Sequence, residues 1–152
     1  MAYAYLLDTN IISDMLRHPN GPIFQKISDV GESSICTSIV VACELNFGVQ
    51  KKGSIALRQR LKDVLQIIPV IPLLPPVEKH YAEIRAFLEQ EGMPIGPNDL
   101  MIAAHALSLS LTVITANMRE FSRVPALKVE NWLETWALFP IRCHNRVFKN
   151  CT

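Results

Sequence analysis

Short apolar runs alternate with longer segments of helical periodicity along most of this chain. The runs predicted to be strands are residues 3–7, residues 34–37, VIPLL at 70–74, LTVIT at 111–115 and LKVEN at 127–131. Between them lie segments with apolar residues at helical spacing. Because helices connect successive strands, the strands are predicted to be parallel, with helices on both faces of the sheet. About five short strands and a similar number of helices fit this length, which predicts an α/β fold.

Local signals predict several of the element boundaries. Ser38 can cap the helix IVVACELNFGVQKK, whose terminal lysines favour its carboxyl end and which Gly53 ends. Pro72 cannot donate a hydrogen bond to a central ladder, so VIPLL is predicted to be an edge strand. The helix before it is expected to bury one stripe, made of Ile55, Leu57, Leu61, Val64, Leu65 and Ile68.

The length and composition favour a single domain. The chain has 152 residues, 49% of them hydrophobic, which suits one compact core. Periodicity is lost after Trp132, so we expect a domain over residues 1–133 and an irregular extension over 134–152. No apolar run could span a bilayer and no signal peptide is recognisable, which predicts a soluble, cytoplasmic protein without a membrane partner.

The four cysteines show neither a C-x-x-C pair nor zinc-finger spacing. Cys36 and Cys43 lie inside apolar runs and are predicted to be buried free thiols. Cys143 and Cys151 lie in the irregular tail and could form a local disulfide or remain free thiols. A reducing cytosol disfavours the disulfide.

Polar residues interrupt or follow these apolar runs at separate points. Asp8 follows the first strand, Glu44 lies in the second turn of its helix, and Asp99 begins a nearly apolar helix. Asn117 and Glu120 follow the fourth predicted strand. Since ligands bind at the carboxyl ends of strands in an open parallel sheet, these side chains can converge there. Clustered carboxylates are the ligands that hard divalent cations prefer, so the sequence predicts a metal site.

These residues also have ordinary structural explanations. Asp8 can cap the helix that follows it, and Asp99 can be a first-turn charge that favours the helix macrodipole. Glu44 is harder to explain in this way, because apolar residues flank it. His105 lies within a buried helix and is predicted to be a hydrogen-bonded core histidine, not a ligand or general base. The chain contains neither a G-x-S-x-G elbow nor a phosphate-binding glycine loop.

The formal net charge of +1 gives no direct indication of nucleic-acid binding. Clustered metal-binding carboxylates would, however, cancel a basic rim elsewhere on the molecule. Any single cation is equally well explained as part of a solvated helix face. The candidate rim residues are Arg17, His18, Lys51, Lys52, Arg58, Arg60, Lys62, Arg119 and Arg123.

Five sequence blocks together resemble a known family. The blocks are LLDTNIIS, SIVVACELNFGV, PIGPNDLMIAAHAL, TVITANMREFSRV and LKVENW. In order and spacing they resemble the PIN-domain ribonucleases, and within them the VapC-type toxins of bacterial toxin–antitoxin pairs. The resemblance covers nearly all of residues 3–132 and implies a PIN-like, doubly wound parallel sheet.

The resemblance implies a metal-dependent endoribonuclease. Asp8, Glu44 and Asp99 match the three acids with which the family holds Mg²⁺ or Mn²⁺. Asn117 occupies a fourth position where many members have Asp, and Glu120 is a candidate for the missing acid. This departure affects the number of metals expected, not the reaction. Two small hydroxyl residues beside the acids match positions that could orient water, namely Thr9 and Thr115.

The resemblance also implies the substrate and partners. These are structured RNA, such as tRNA or rRNA loops, a cognate VapB-type antitoxin that blocks the active-site groove, and a second copy of the chain in a homodimer. Asn46 departs from an Arg common in close relatives, which could weaken a contact to substrate or antitoxin.

Two other classes of function are open on this sequence. One is a catalytically degenerate PIN-fold scaffold that binds RNA or protein, for which the amide at Asn117 is the argument. The other is a phosphatase or phosphotransferase with Asp8 as nucleophile. That chemistry needs a second acid two residues on, where this chain has Asn10.

Overall fold

The computed structural model of the chain describes residues 2–134. These residues form five strands and seven α-helices in an alternating order, as the periodicity predicts. The strands are β1 (Tyr5–Leu7), β2 (Ile35–Ser38), β3 (Val70–Ile71), β4 (Thr112–Ile114) and β5 (Val129–Glu130). The helices are α1 (Thr9–Arg17), α2 (Pro22–Val30), α3 (Ile39–Lys52), α4 (Ile55–Ile67), α5 (Val77–Gln90), α6 (Pro97–Ser108) and α7 (Met118–Phe121).

All strands pair in parallel in the order β3-β2-β1-β4-β5. The chain winds from β1 outward to β3, returns to β4 on the other side of β1, and ends at β5. Because crossovers between parallel strands are right-handed, reversing the winding direction places the helices of the two halves on opposite faces. The predicted doubly wound sheet is confirmed, and β3 is an edge strand as Pro72 indicates.

Most predicted boundaries are confirmed to within a few residues. Ser38 caps α3, its Oγ accepting a hydrogen bond from Val40 N at 3.1 Å, and Gly53 ends the helix in the left-handed region at φ 66°. Pro97 occupies the first turn of α6, so that helix begins earlier than its apolar run. The short helix α7 was not predicted, because four residues carry no measurable period.

Two predictions of burial are wrong. Ile55 belongs to the predicted core stripe of α4, yet its side chain is 82% exposed at the first turn of that helix. Cys43 is an exposed free thiol on α3, whereas Cys36 on β2 is buried as predicted. Both errors arise because a helical period identifies an apolar stripe without showing where the neighbouring elements stop covering it.

The described residues contain one continuous hydrophobic core around the sheet, in which Leu6, Ile35 and Val113 of the central strands are fully buried. None of the helices within residues 2–134 is both long enough and apolar enough to cross a bilayer. The predicted irregular extension (134–152) and the alternatives for Cys143 and Cys151 lie outside the described residues, except for Glu134.

Candidate active site at the carboxyl edge of the sheet

The predicted site residues meet where the sheet reverses its winding direction, between β1 and β4. Asp8 directly follows β1, and its backbone N–H donates to the Ile114 carbonyl at the end of β4 over 2.9 Å. Thr115 and Asn117 continue from β4 beside it. This is the position at which open α/β sheets bind ligands, because the loops on either side diverge there.

Asp8 combines a capping role with a place in the site. Its Oδ1 caps α1 by accepting from Thr9 N at 2.7 Å. Its Oδ2 accepts from Thr115 Oγ1 at 2.7 Å and from Asn10 Nδ2 at 3.1 Å. The side chain is only 3% exposed, and this desolvation raises the pKa of Asp8 despite the hydrogen bonds that oppose it. The negative charge of Glu44 raises it further.

Thr115 holds Asp8 in place. Its hydroxyl donates to Asp8 and accepts both from Asn10 Nδ2, at 3.1 Å, and from the backbone N–H of Asn117, at 2.9 Å. A hydroxyl group has one proton and two lone pairs, so no hydrogen-bonding capacity is left for a water molecule. In this arrangement Thr115 contacts Asp8, Asn10 and Asn117, and its water-orienting role stays a prediction.

Asn10 is a site residue that the sequence analysis did not identify. Besides its bonds to Asp8 and Thr115, its Oδ1 accepts from the backbone N–H of Ala116 at 2.9 Å. One side chain thus connects the loops that follow β1 and β4. Its position two residues after Asp8 was the only signal in the sequence, and there it counted only as a missing acid.

A second cluster surrounds Asp99 in the first turn of α6. Asn117 Nδ2 donates to Asp99 Oδ2 at 2.9 Å, and the Asp99 carboxyl group shares a hydrogen bond with Glu120. Glu120 in turn accepts from the backbone N–H of Gly96 at 3.1 Å. The structure therefore brings Asp99, Asn117 and Glu120 together, as the sequence predicts.

The pKa values of Asp99 and Glu120 are shifted in opposite directions. Burial, the hydrogen bond with Glu120 and the charge of Asp8 raise the pKa of Asp99 to about 7. The Gly96 N–H and the hydrogen bond with Asp99 lower the pKa of Glu120. Below neutral pH the pair therefore retains one proton, and that proton resides mainly on Asp99.

Glu44 approaches these acids from α3. Thr9 Oγ1 donates a short hydrogen bond to its Oε2, and Asn98 Nδ2 donates to its Oε1 at 3.0 Å. Thr9 is half-buried at the start of α1, and Asn98 precedes Asp99 in the first turn of α6. The sequence analysis did not identify Asn98, since nothing local distinguishes it from an ordinary residue of a helix amino terminus.

A groove with a volume of about 570 Å³ opens beside the acids. Asp8, Glu44, Asp99 and Asn117 lie along it, and Gly48 leaves part of its α3 wall without a side chain. Its apolar lining residues are Leu16, Leu45, Val49 and Leu57. Among the predicted rim cations, Arg17 and Lys52 line this groove.

Several other predicted rim residues have partners away from the groove. His18 Nδ1 lies 2.9 Å from Asp14 Oδ1, Arg58 donates to Gln50, and Arg123 donates to the Pro94 carbonyl. For His18 and Arg58 these contacts favour the ordinary surface explanation. The charge of Arg123 still acts on the site, because it lowers the pKa of Glu120.

The donor set fits a hard divalent cation. No lysine or arginine of residues 2–134 forms a salt bridge with Asp8, Glu44, Asp99 or Glu120, so their negative charge is poorly neutralised. Within the same residues, no group of three or more histidine, cysteine, aspartate or glutamate side chains is arranged so that it could hold a metal ion by itself. Mg²⁺ does not need one, because it is commonly bound through one or two carboxylates and keeps several waters.

His105 is confirmed as a core residue. It is 1% exposed, and its Nδ1 lies 2.9 Å from Ser38 Oγ. Burial lowers its pKa, opposed in part by the Pro72 carbonyl. A neutral histidine in this position contacts Ser38, which caps α3, and Glu44 belongs to that helix.

Comparison with known proteins gives consistent matches. A model of the PIN domain matches residues 5–127. The chain is similar to ribonuclease VapC2 of Rickettsia felis, with 36% identity over 130 residues that cover 84% of this chain and 97% of that protein. It is also similar to the tRNA(fMet)-specific endonuclease VapC of Salmonella typhimurium, with 34% identity over 84% of this chain and 97% of that protein.

Solved structures of related complexes share this fold. The chain matches a protein in the crystal structure of VapBC2 from Rickettsia felis bound to a promoter DNA fragment. That match has a TM-score of 0.78 and 33% identity, and it covers 85% of this chain and 98% of the other. In DNA-bound VapBC from Salmonella typhimurium the TM-score is 0.76 and the identity 33%, over 86% and 98% of the two chains.

Proposed function

Because this chain belongs to the PIN-domain family and, within it, to the VapC-type ribonucleases, we propose that it is an endoribonuclease toxin dependent on Mg²⁺ or Mn²⁺. Its reaction is hydrolysis of phosphodiester bonds in structured RNA. The observation that carries this proposal is the set of poorly neutralised carboxylates at the switch point of the sheet, beside an open groove. Such a set is costly without a cation and suited to phosphate chemistry with one.

Asp8 and Asp99 are the residues that would hold the metal, and Glu44 would act through a water molecule. When bound, the metal supplies a water of lowered pKa and offsets the negative charge that develops on the scissile phosphate. Thr115 and Asn10 keep the Asp8 carboxylate oriented, while Asn117 and Glu120 do the same for Asp99. Glu44 would orient the attacking water or accept its proton.

The substrate and partners follow from the family and the groove. RNA with unstacked loop bases, such as tRNA, is the proposed substrate, with Arg17 and Lys52 contacting its phosphates at the groove rim. We further propose a homodimer that acts in the cytoplasm. A cognate VapB-type antitoxin would occupy the same groove and exclude RNA from the acids.

Cleavage of a total tRNA pool tests the function. Purified protein free of antitoxin is incubated with tRNA in Mg²⁺ or in EDTA, and Asp99→Asn is assayed beside it. Glu78→Gln is the matched control, since Glu78 is also a first-turn acid but lies on α5. We expect discrete fragments from the wild type and the control in Mg²⁺, and none in EDTA or from Asp99→Asn.

The degenerate scaffold makes the opposite prediction. It rests on Asn117, which supplies an amide where many family members have a carboxylate. If a folded wild-type protein cleaves neither tRNA nor rRNA in Mg²⁺ or Mn²⁺ yet binds RNA, the scaffold is the better interpretation. Fragments that persist with Asp99→Asn would refute the proposed site.

A further inference from the structure

The Glu44 carboxylate receives a hydrogen bond on each oxygen from a different helix. Asn98 Nδ2 reaches Oε1 from the amino terminus of α6, over 3.0 Å and 54 residues of sequence. Thr9 Oγ1 reaches Oε2 from the amino terminus of α1, across 35 residues. Glu44 itself belongs to α3, so three helices meet at this carboxylate.

Two donors on opposite oxygens restrict this side chain in a specific way. A glutamate has three flexible torsions and would otherwise sample many positions along the groove wall. Bonds to both oxygens fix the plane of the carboxylate and the direction of its remaining lone pairs. Those lone pairs are then available to a water molecule near Asp8 and Asp99.

We propose that Asn98 is a positioning residue that orients Glu44 for the reaction, an inference that rests on the proposed ribonuclease function. Asn98 and Asp99 are consecutive in the first turn of α6. This turn therefore presents an acid to the metal and an amide to Glu44. It thereby fixes the position of the Glu44 carboxylate relative to that of Asp99. Among the described side-chain hydrogen bonds, Asn98 donates to Glu44 and not to Asp8, so it would act through Glu44.

The kinetic test uses two substitutions. Asn98→Ala should lower kcat by about tenfold, near the lower limit for a supporting hydrogen bond because this one is exposed. Since Asn98 is not a metal ligand, KM for RNA and the Mn²⁺ dissociation constant, measured by calorimetry, should change less than about threefold. An unchanged kcat overturns the proposal. A loss confined to KM would instead make Asn98 a substrate contact.

Asn98→Asp separates positioning from a structural role. A carboxylate in the first turn of α6 favours the helix macrodipole, which offsets the repulsion from Glu44, so Asn98→Asp should be about as stable as Asn98→Ala. The new charge would repel Glu44, and kcat should fall below that of Asn98→Ala. If Asn98 served only the helix terminus, Asn98→Asp would be the more active variant, and the proposal would be wrong.

A matched control and a direct readout complete the experiment. Gln25→Ala removes another exposed amide–carboxylate hydrogen bond of 3.0 Å, to Asp29 on α2, and should leave kcat unchanged. In ¹⁵N-labelled protein, Glu44→Ala should displace the side-chain amide signals of Asn98 and leave those of Gln25 in place.

The spectra also separate this inference from the proposed function. Unmoved Asn98 signals in a protein that cleaves RNA would refute the role of Asn98 alone. If Glu44→Ala displaces the Asn98 signals but the folded wild type shows no metal-dependent cleavage, the ribonuclease proposal is refuted, and with it any kinetic role for Asn98.

Discussion

Replacing Asp99 by asparagine should stabilise the metal-free protein while abolishing its proposed activity. The Asp99 carboxyl group is half-buried beside Glu120, Asp8 and Glu44, and its pKa is raised from the ordinary 3.8 to about 7. Ionising it in the folded state therefore costs more than ionising it in the unfolded chain. Asparagine has nearly the same shape and can still accept from Asn117 while carrying no charge.

The size of the expected stabilisation follows from the shift in the pKa of Asp99. A rise from 3.8 to about 7 corresponds to about 4 kcal/mol at roughly 1.4 kcal/mol per pH unit. Solvent screening of a half-buried, coupled carboxyl group reduces this to about 2 kcal/mol. For a domain of this size, that difference raises Tm by roughly 6 °C.

The pH dependence has a definite sign. Well below pH 3.8 the carboxyl group is protonated in both states, and the wild type carries no penalty. As the pH rises toward 7, the unfolded chain loses its proton before the folded protein does, so wild-type stability falls. The advantage of Asp99→Asn should therefore be small near pH 4.5 and reach its full value above pH 7.

Urea unfolding followed by circular dichroism measures this difference. The two proteins are compared in EDTA at pH 4.5 and 8, with Glu78→Gln as the control for loss of a first-turn charge. In Mg²⁺ at ten times its dissociation constant, the wild type alone should gain about 1.4 kcal/mol. If Asp99→Asn is less stable than the wild type in EDTA at pH 8, the uncompensated-charge argument is refuted.

Three further predictions concern residues around the same groove. Thr115→Val should cost about 2 kcal/mol in urea unfolding, because buried Asp8 and half-buried Asn10 each lose a hydrogen bond. A cost no larger than that of Thr112→Val would contradict this. Gly48→Ala should stabilise α3 by about 0.5–1 kcal/mol, since nothing lies within 4 Å of the added Cβ; destabilisation in thermal melts would show that this wall is already packed. Asn117→Asp should tighten Mn²⁺ binding in calorimetry. It should also lower the free energy of unfolding in EDTA at pH 8 by about 1 kcal/mol, because a donor to Asp99 becomes a like charge. Unchanged Mn²⁺ affinity would argue against a metal at Asp99.

The order of elements, the parallel sheet and the edge at which the acids gather could all be predicted from the amino-acid sequence. Each of these depends on local properties. Ser38 caps the start of helix α3 through its side-chain oxygen, and Gly53 ends that helix through its left-handed backbone. Pro72 excludes its strand from the centre of the sheet. Asp8 and Asn117 follow neighbouring strands, so parallel pairing alone predicts their convergence.

The contacts that each side chain makes within the site could not be predicted in this way, because they depend on how distant segments pack together. Asp8 and Thr115 are 107 residues apart, and Asn98 and Glu44 are 54 apart, so no local pattern links either pair. The same is true of exposure, since Ile55 and Cys43 lie in apolar patterns whose covering elements stop short of them. A hydrogen bond requires two groups within about 3 Å, and that distance is set by how the helices pack on the sheet.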